Sequence, residues 1–212
     1  MNHTIRTVTL LLAALGLGGL AQAQQQVFKF GATRYQTHAS TNGVTGPGLP
    51  PGADASVGSA TTALFTYEYE FMPNVGAELV IGVPPTIKGY AAGSVSFLGE
   101  VVEAKLLAPT LLLNYHFGQP GDALRPYIGA GIGYTRFTSV SSPYGWQVDL
   151  SDTWAPTAQV GLDYAINKQW GLYGSVAVAH VKSDLVAVSG TVLQTTINFK
   201  PVIYSLGVSF RF

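Results

Sequence analysis

Tyr204-Ser205-Leu206-Gly207-Val208-Ser209-Phe210-Arg211-Phe212 alternates without a break. Tyr204, Leu206, Val208, Phe210 and Phe212 share one face, and Ser205, Gly207, Ser209 and Arg211 the other, which is the period-two spacing of a strand between two different environments. A free end carrying Phe210 and Phe212 on one side is an aggregation hazard in water. The same strand suits a transmembrane barrel, with aromatics at the interface and small or polar groups inside. Taken alone, the stretch also fits the last strand of a soluble sandwich.

The rest of the chain separates these alternatives. Charged residues make up only 10%, against about 25% in ordinary soluble domains. A formal charge of zero and no basic patch speak against a nucleic-acid partner. Cysteine is absent, which removes disulfides, thiolate metal sites and Cys nucleophiles. Arg6, the apolar run Val8 to Leu20 and the small-x-small end Ala21-Gln22-Ala23 predict a cleaved signal peptide over 1–23 and a mature chain over 24–212. Beyond it no stretch reaches about 18 uninterrupted apolar residues, so a membrane-spanning chain of this kind has to span with strands.

Eight alternating segments follow. Phe28, Phe30 and Ala32 lie opposite Lys29, Gly31 and Thr33, and Phe65, Tyr67, Tyr69 and Phe71 lie opposite Leu64, Thr66, Glu68 and Glu70. The same pattern recurs from Val75 to Val83, Leu107 to Phe117, Arg125 to Phe137, Thr157 to Tyr164, Trp170 to Ala179, and in the closing stretch. Long connections at about 38–58, 85–103, 139–153 and 182–192 alternate with short turns such as Met72-Pro73-Asn74 and Ile166-Asn167-Lys168-Gln169. That is the layout of an eight-stranded antiparallel transmembrane β-barrel with long extracellular loops and short periplasmic turns. Phe28, Tyr69, Phe71, Tyr115, Phe117, Tyr164, Trp170, Phe210 and Phe212 gather beside the short turns as an aromatic girdle.

Several blocks resemble the outer-membrane protein W (OmpW) family, including its alkane-uptake branch often called AlkL. They are Asn74 to Leu79, Ala108 to Leu111, Arg125 to Gly131, Asp152 to Pro156, Gln159 to Tyr164 and the Phe-Arg-Phe end, with Gly82-Val83-Pro84 and Ser96 to Gly99 closer to the alkane-uptake branch. The resemblance implies a narrow hydrophobic passage that takes small apolar molecules from outside and releases them sideways into the membrane. It also implies that the terminal strand is read by the barrel-assembly machinery. The family's constriction aligns with Val80 and Ala177, both small here, which predicts a wider passage.

Orientation sorts the inward residues by height. Near the short turns Lys29, Glu68, Glu70, Glu78, His116, Arg125, Asp163 and Arg211 point inward, with Asn114 among them. Unpaired charge in so narrow a lumen is costly, so these groups are expected to pair as a periplasmic plug. Higher up, Leu64, Val80, Gly82, Pro84, Gly133, Ala177, Ala179, Val181 and Ile203 are expected to line an apolar passage. Pro84, Pro109, Pro156 and Pro201 each remove a ladder donor, so they mark either a weak point for lateral exit or simply strand ends.

Catalysis finds little support. His180 and Ser183, three apart on a strand, face opposite ways, and no Gly-x-Ser-x-Gly or His-Glu-x-x-His motif occurs. His116 sits among acids and arginines, as a plug member. No catalytic residue, metal ligand or cofactor is therefore expected. The expected partners are small hydrophobic molecules, outer-membrane lipid or lipopolysaccharide, and the assembly machinery. The alternative is a structural or receptor barrel whose loops bind partners without transport.

Overall fold

The computed structural model describes residues 25–37, 39–41, 43–188 and 192–212. The expected signal peptide and His38 lie outside them. In chain order the strands are β1 (Gln25–Gln36), β2 (Ala39–Thr41), β3 (Ala53–Val57), β4 (Ala60–Met72), β5 (Val75–Gly82), β6 (Thr86–Gly93), β7 (Glu100–Leu107) and β8 (Thr110–His116). Then come β9 (Leu124–Ser141), β10 (Gln147–Leu150), β11 (Thr153–Ala165), β12 (Trp170–Ala179), β13 (Val181–Val188), β14 (Val192–Phe199) and β15 (Val202–Arg211).

Eight of them close the predicted antiparallel barrel in the order β11-β12-β15-β1-β4-β5-β8-β9, with β9 returning to β11. The alternation read from the sequence decides the register, because a slip of one residue would turn every side chain to the wrong face. Lys29 stands opposite Ser209 on one side and Thr66 on the other, and Phe28 opposite Phe210 and Tyr67. The outward rings meet in the girdle: Phe28 stacks on Phe212 with centroids 5.4 Å apart, and Trp170 meets Phe210 edge-on at 4.9 Å.

The long connections are not plain loops. β3, β6 and β7 extend the barrel sheet from the upper end of β9, and β10, β13, β14 and β2 make a second sheet. The change falls at a belt of prolines. Pro84 and Pro85 separate β5 from β6, Pro109 precedes β8, and Pro201 precedes β15. Pro156 lies within β11, and its carbonyl accepts from the His180 N–H at 3.0 Å, at the break between β12 and β13. Proline lacks a donor and tends to interrupt the ladder, so a strand can stop and restart there.

The two faces exchange character at this belt. Below it, large apolar residues face out (Phe30 is 52% exposed and Leu206 70%) and the charges face in. Above it, Ile87, Val102, Val181, Ala187 and Ile197 are buried inside, while Lys88, Lys105, Lys182 and Asp184 are exposed. The expectation of loops followed from this inversion. A search for apolar-out, polar-in alternation misses strands whose outer face meets water, and the Gly-Pro-Ser-rich composition of 38–58 hides β2 and β3 further.

Candidate functional site

The floor of the barrel is built on β1, β4, β5, β8, β9 and β11. Lys29 is its centre: Nζ lies 3.0 Å from Glu68 Oε2, 3.4 Å from Asp163 Oδ1 and 3.8 Å from Glu78 Oε1. The same ammonium sits 4.6 Å from the centroid of the Tyr127 ring, close enough for a cation–π contact. His116 Nε2 is 2.8 Å from Glu68 Oε1, and Nδ1 is 3.6 Å from Asp163 Oδ2. Asn114 donates through Nδ2 to Glu68 at 2.9 Å and to Glu78 at 2.8 Å, and Gln159 donates through Nε2 to Glu78 at 2.7 Å. Arg125 holds both Glu70 oxygens through Nη1 at 3.1 Å and gives Nη2 to the Pro73 carbonyl at 2.9 Å.

All of these ionisable side chains are buried, Glu68 and His116 completely. A charge so placed is tolerable only when paired and hydrogen-bonded, and the neutral amides of Asn114 and Gln159 add hydrogen bonds to Glu68 and Glu78. Small residues on neighbouring strands make the room. A Cβ on Gly161 would collide with the Tyr127 ring, and one on Gly76 would come within 2.7 Å of Glu68 Oε1.

Lys29, Glu68, Glu70, Glu78, His116, Arg125 and Asp163 thus come together in ion pairs and hydrogen bonds. Arg211 does not join them. It is buried, but among the described residues its side chain makes no ion pair, and its Nε has no hydrogen-bond partner. Its register partner is Val27, one inward position below Lys29, and Glu70 is already taken by Arg125.

Above the floor lies a cavity of about 100 Å³ open to the centre of a water molecule. Leu64, Val80, Gly133, Ala177, Ala179, Val181 and Ile203 line it, and Thr66, Glu78, Gln159 and Tyr173 form its base. Gly82 is screened from it by Tyr35 and Leu64, 3.7 and 3.9 Å from where its Cβ would stand. Pro84 was expected inside but is exposed; Pro85 is the buried one, because the consecutive prolines break the two-residue period. Thr33, Tyr35, Leu112 and Thr135 also line the cavity.

A second chamber, of about 110 Å³, lies above the proline belt, between the β3-β6-β7 extension and the second sheet, lined by Leu49, Val95, Leu98, Trp146, Leu193 and others. Val57, Ile87 and Phe137 border both spaces. Ala155, Val181 and Ile197 form a buried cluster at this height, with Val57, Phe137, Ala179 and Leu185 packed against it. The apolar partition therefore stands above Val80 and Ala177, which line the open part of the lower cavity. Sequence reasoning missed Phe137, although it continues the inward parity of Tyr127, Gly129, Gly131, Gly133 and Thr135. His180 is exposed and Ser183 is buried with its Oγ donating to the Ser151 carbonyl at 2.9 Å, so the two do not form a nucleophile and base.

Known proteins share this architecture. The OmpW family profile matches residues 22–212. Outer membrane protein AlkL of Ectopseudomonas oleovorans is 35% identical over 168 residues, 79% of this chain and 73% of that protein. Outer membrane protein W of Vibrio cholerae is 30% identical over 76% of this chain and 77% of its own length. The crystal structure of the outer membrane protein OprG from Pseudomonas aeruginosa superposes with a TM-score of 0.84 at 24% identity, covering 90% of this chain and 97% of that one. This chain is an outer-membrane β-barrel and belongs to the OmpW family.

Proposed function

We propose that this barrel is a passive, non-catalytic route by which small hydrophobic molecules enter the outer membrane. The observation that carries the reading is the apolar cavity ending on a paired ionic floor. An eight-stranded barrel has room for little beyond its own side chains, and here the lower part is taken up by the Lys29 network. Ions and sugars would find neither a wide lumen nor a hydrated path. An apolar guest finds two chambers of the right chemistry, with mostly apolar walls and a few polar groups.

Such a guest enters the upper chamber, crosses the partition at Phe137, Ile87 and Val57, and reaches the cavity lined by Leu64, Val80 and Ala177. The floor blocks the way down, so the guest leaves sideways. The proline belt is the height we assign to that step, because ladder donors are missing there and the wall changes from one set of strands to another. The alternative is a barrel that only presents its loops to a partner. The open lower cavity favours the first reading, since a purely structural barrel would carry larger inward residues than Gly133, Ala177 and Ala179.

The test is uptake of a radiolabelled alkane into vesicles with a lipopolysaccharide outer leaflet, beside a charged solute of similar size. Ala177 stands between Gln159 and Ile203 in the ladder, and Ala177→Trp would fill much of the cavity. It is expected to lower alkane uptake roughly tenfold, the cavity being the size of a small ligand site at most. Equal transport of both solutes, or an unaltered alkane rate in the variant, would remove passage through the lumen.

A further inference from the structure

Exposed cations surround the barrel just above the apolar band, but they differ in partnership from one wall to the other. On the wall of β6, β7, β9 and β11, Lys88 Nζ lies 2.8 Å from Glu100 Oε2 and 3.8 Å from Glu103 Oε2, and Arg136 Nε lies 3.7 Å from Asp152 Oδ2, while Lys105 stands exposed there as a single unpaired cation among the described residues. On the opposite wall stand Arg34 of β1, Lys182 of β13 and Lys200 between β14 and β15, all exposed. None of the three has an ion pair or side-chain hydrogen bond among the described residues.

The register groups them. Lys182 pairs with Asn198 and Arg34 with Tyr204, which places Lys200 between, two residues from one partner and four from the other. β1, β12 and β15 contain no Asp or Glu at all. Asp184 of β13, two residues from Lys182, accepts from Thr196 Oγ1 at 2.7 Å and makes no ion pair with that lysine. Below Lys182 and Lys200 the wall is apolar, with Val178, Tyr204 and Leu206 exposed, and Arg34 stands level with Tyr204 at the upper edge of that band. Bare positive charge immediately above a lipid-facing band sits at headgroup height, where anionic lipid is the available counter-ion. The guanidinium fork of Arg34 and the two ammonium groups suit phosphate oxygens.

We propose that this wall, centred on Arg34, Lys182 and Lys200, is a binding site for the phosphates of an outer-leaflet glycolipid. The opposite wall, whose charges are largely satisfied internally, binds it weakly. The site is independent of the lumen and of whatever passes through it.

The experiment places the full barrel in phosphatidylcholine nanodiscs. Bis-phosphorylated lipid A, and the same lipid with its phosphates removed, are titrated while bound lipid per barrel is read by native mass spectrometry. The triple variant Arg34→Ser, Lys182→Ser, Lys200→Ser is compared with Lys88→Ser, Lys105→Ser, Arg136→Ser, after both pass a heat-modifiable electrophoresis check for folding. The first triple is expected to weaken lipid A binding about tenfold or more and the second about twofold at most, from the attraction of each exposed cation to an anionic surface. Removing the phosphates should weaken binding to the natural barrel as much as the first triple does. Equal loss in the two triples, undiminished binding of the dephosphorylated lipid, or a dimer that buries this wall instead of lipid would overturn the proposal. Should the first triple fail to fold, the single variants Lys182→Gln and Lys200→Gln take its place, each expected to weaken binding several-fold.

Discussion

Below the proline belt this barrel is ionic inside and apolar outside; above it, the interior is apolar and the exterior charged. One continuous wall therefore solves two solvation problems in opposite ways. The lower half faces lipid, where every polar group has to be satisfied by the protein itself, so its charges turn inward and pair. The upper half faces water, where charges are inexpensive outside, and its apolar groups turn inward to bury themselves. The interior inherits its character from this division: apolar where the wall is wet, ionic where the wall is greasy.

The sharpest way to break the comparison is at Lys29. Its ammonium is shared by Glu68, Asp163 and Glu78, and Lys29→Met leaves three buried carboxylates with one fewer cation. Breaking a buried pair from one side costs about 3–5 kcal/mol, so urea unfolding in lipid vesicles should show a loss of that order. The double variant Lys29→Met, Glu68→Gln should recover part of it. A loss in Lys29→Met as small as that of a surface variant would mean that the floor is not held by its charges.

A smaller effect is expected at the partition. Phe137→Ala removes the ring that borders both chambers. Truncating a partly buried phenylalanine should cost about 1–3 kcal/mol, below the range for a fully buried one. Uptake of an apolar solute should rise where Ala177→Trp lowers it. Unaltered uptake in Phe137→Ala would shift the rate-limiting point away from this height.

The smallest effect belongs to the outer surface. A hydrogen bond from Lys88 to Glu100, and the Glu100 charge, hold the exposed Lys88 ammonium above its ordinary value of 10.5. A raised lysine contributes its stability fully at neutral pH and loses it only as pH climbs through the raised value. Exposed pairs of this kind are weak and screened by salt. Glu100→Gln should leave the urea midpoint at pH 7 nearly unmoved, and any difference from the natural barrel should vanish at strongly alkaline pH. A large shift at pH 7 would show that the outer surface carries structural load comparable to the floor.

The same division explains what was legible in the sequence. Below the belt, the alternation of Phe28, Phe30 and Ala32 against Lys29, Gly31 and Thr33 placed each side chain on its observed face, because lipid and lumen impose opposite demands at every residue. Lys29, Glu68 and Asp163 could be assigned to one height by counting from the turns. Which acid pairs with which cation could not, since that depends on strand stagger; Arg211 was expected in the network and stands one position below it. Above the belt the alternation is short, interrupted and inverted, so β6, β13 and the first half of β7 read as loops. At Pro84-Pro85 two successive prolines shifted the period, and parity counted through them pointed the wrong residue inward.

One feature of the barrel's closure bears on how it comes to exist. Thr33 Oγ1 donates to the Tyr204 carbonyl, and Ser205 Oγ donates to Thr33 Oγ1, across 171 and 172 residues of chain. The seam that shuts the cylinder thus joins its earliest-made strand to its last. Contacts so distant along the chain form slowly, because the entropy of closing the loop is spent before they return anything. β1 keeps one bare ladder edge for as long as β15 is missing, and a bare edge recruits foreign strands. The interval between emergence of β1 and arrival of β15 is accordingly the chain's most vulnerable time, and it ends when the two strands pair from Val27–Arg211 to Gln36–Val202.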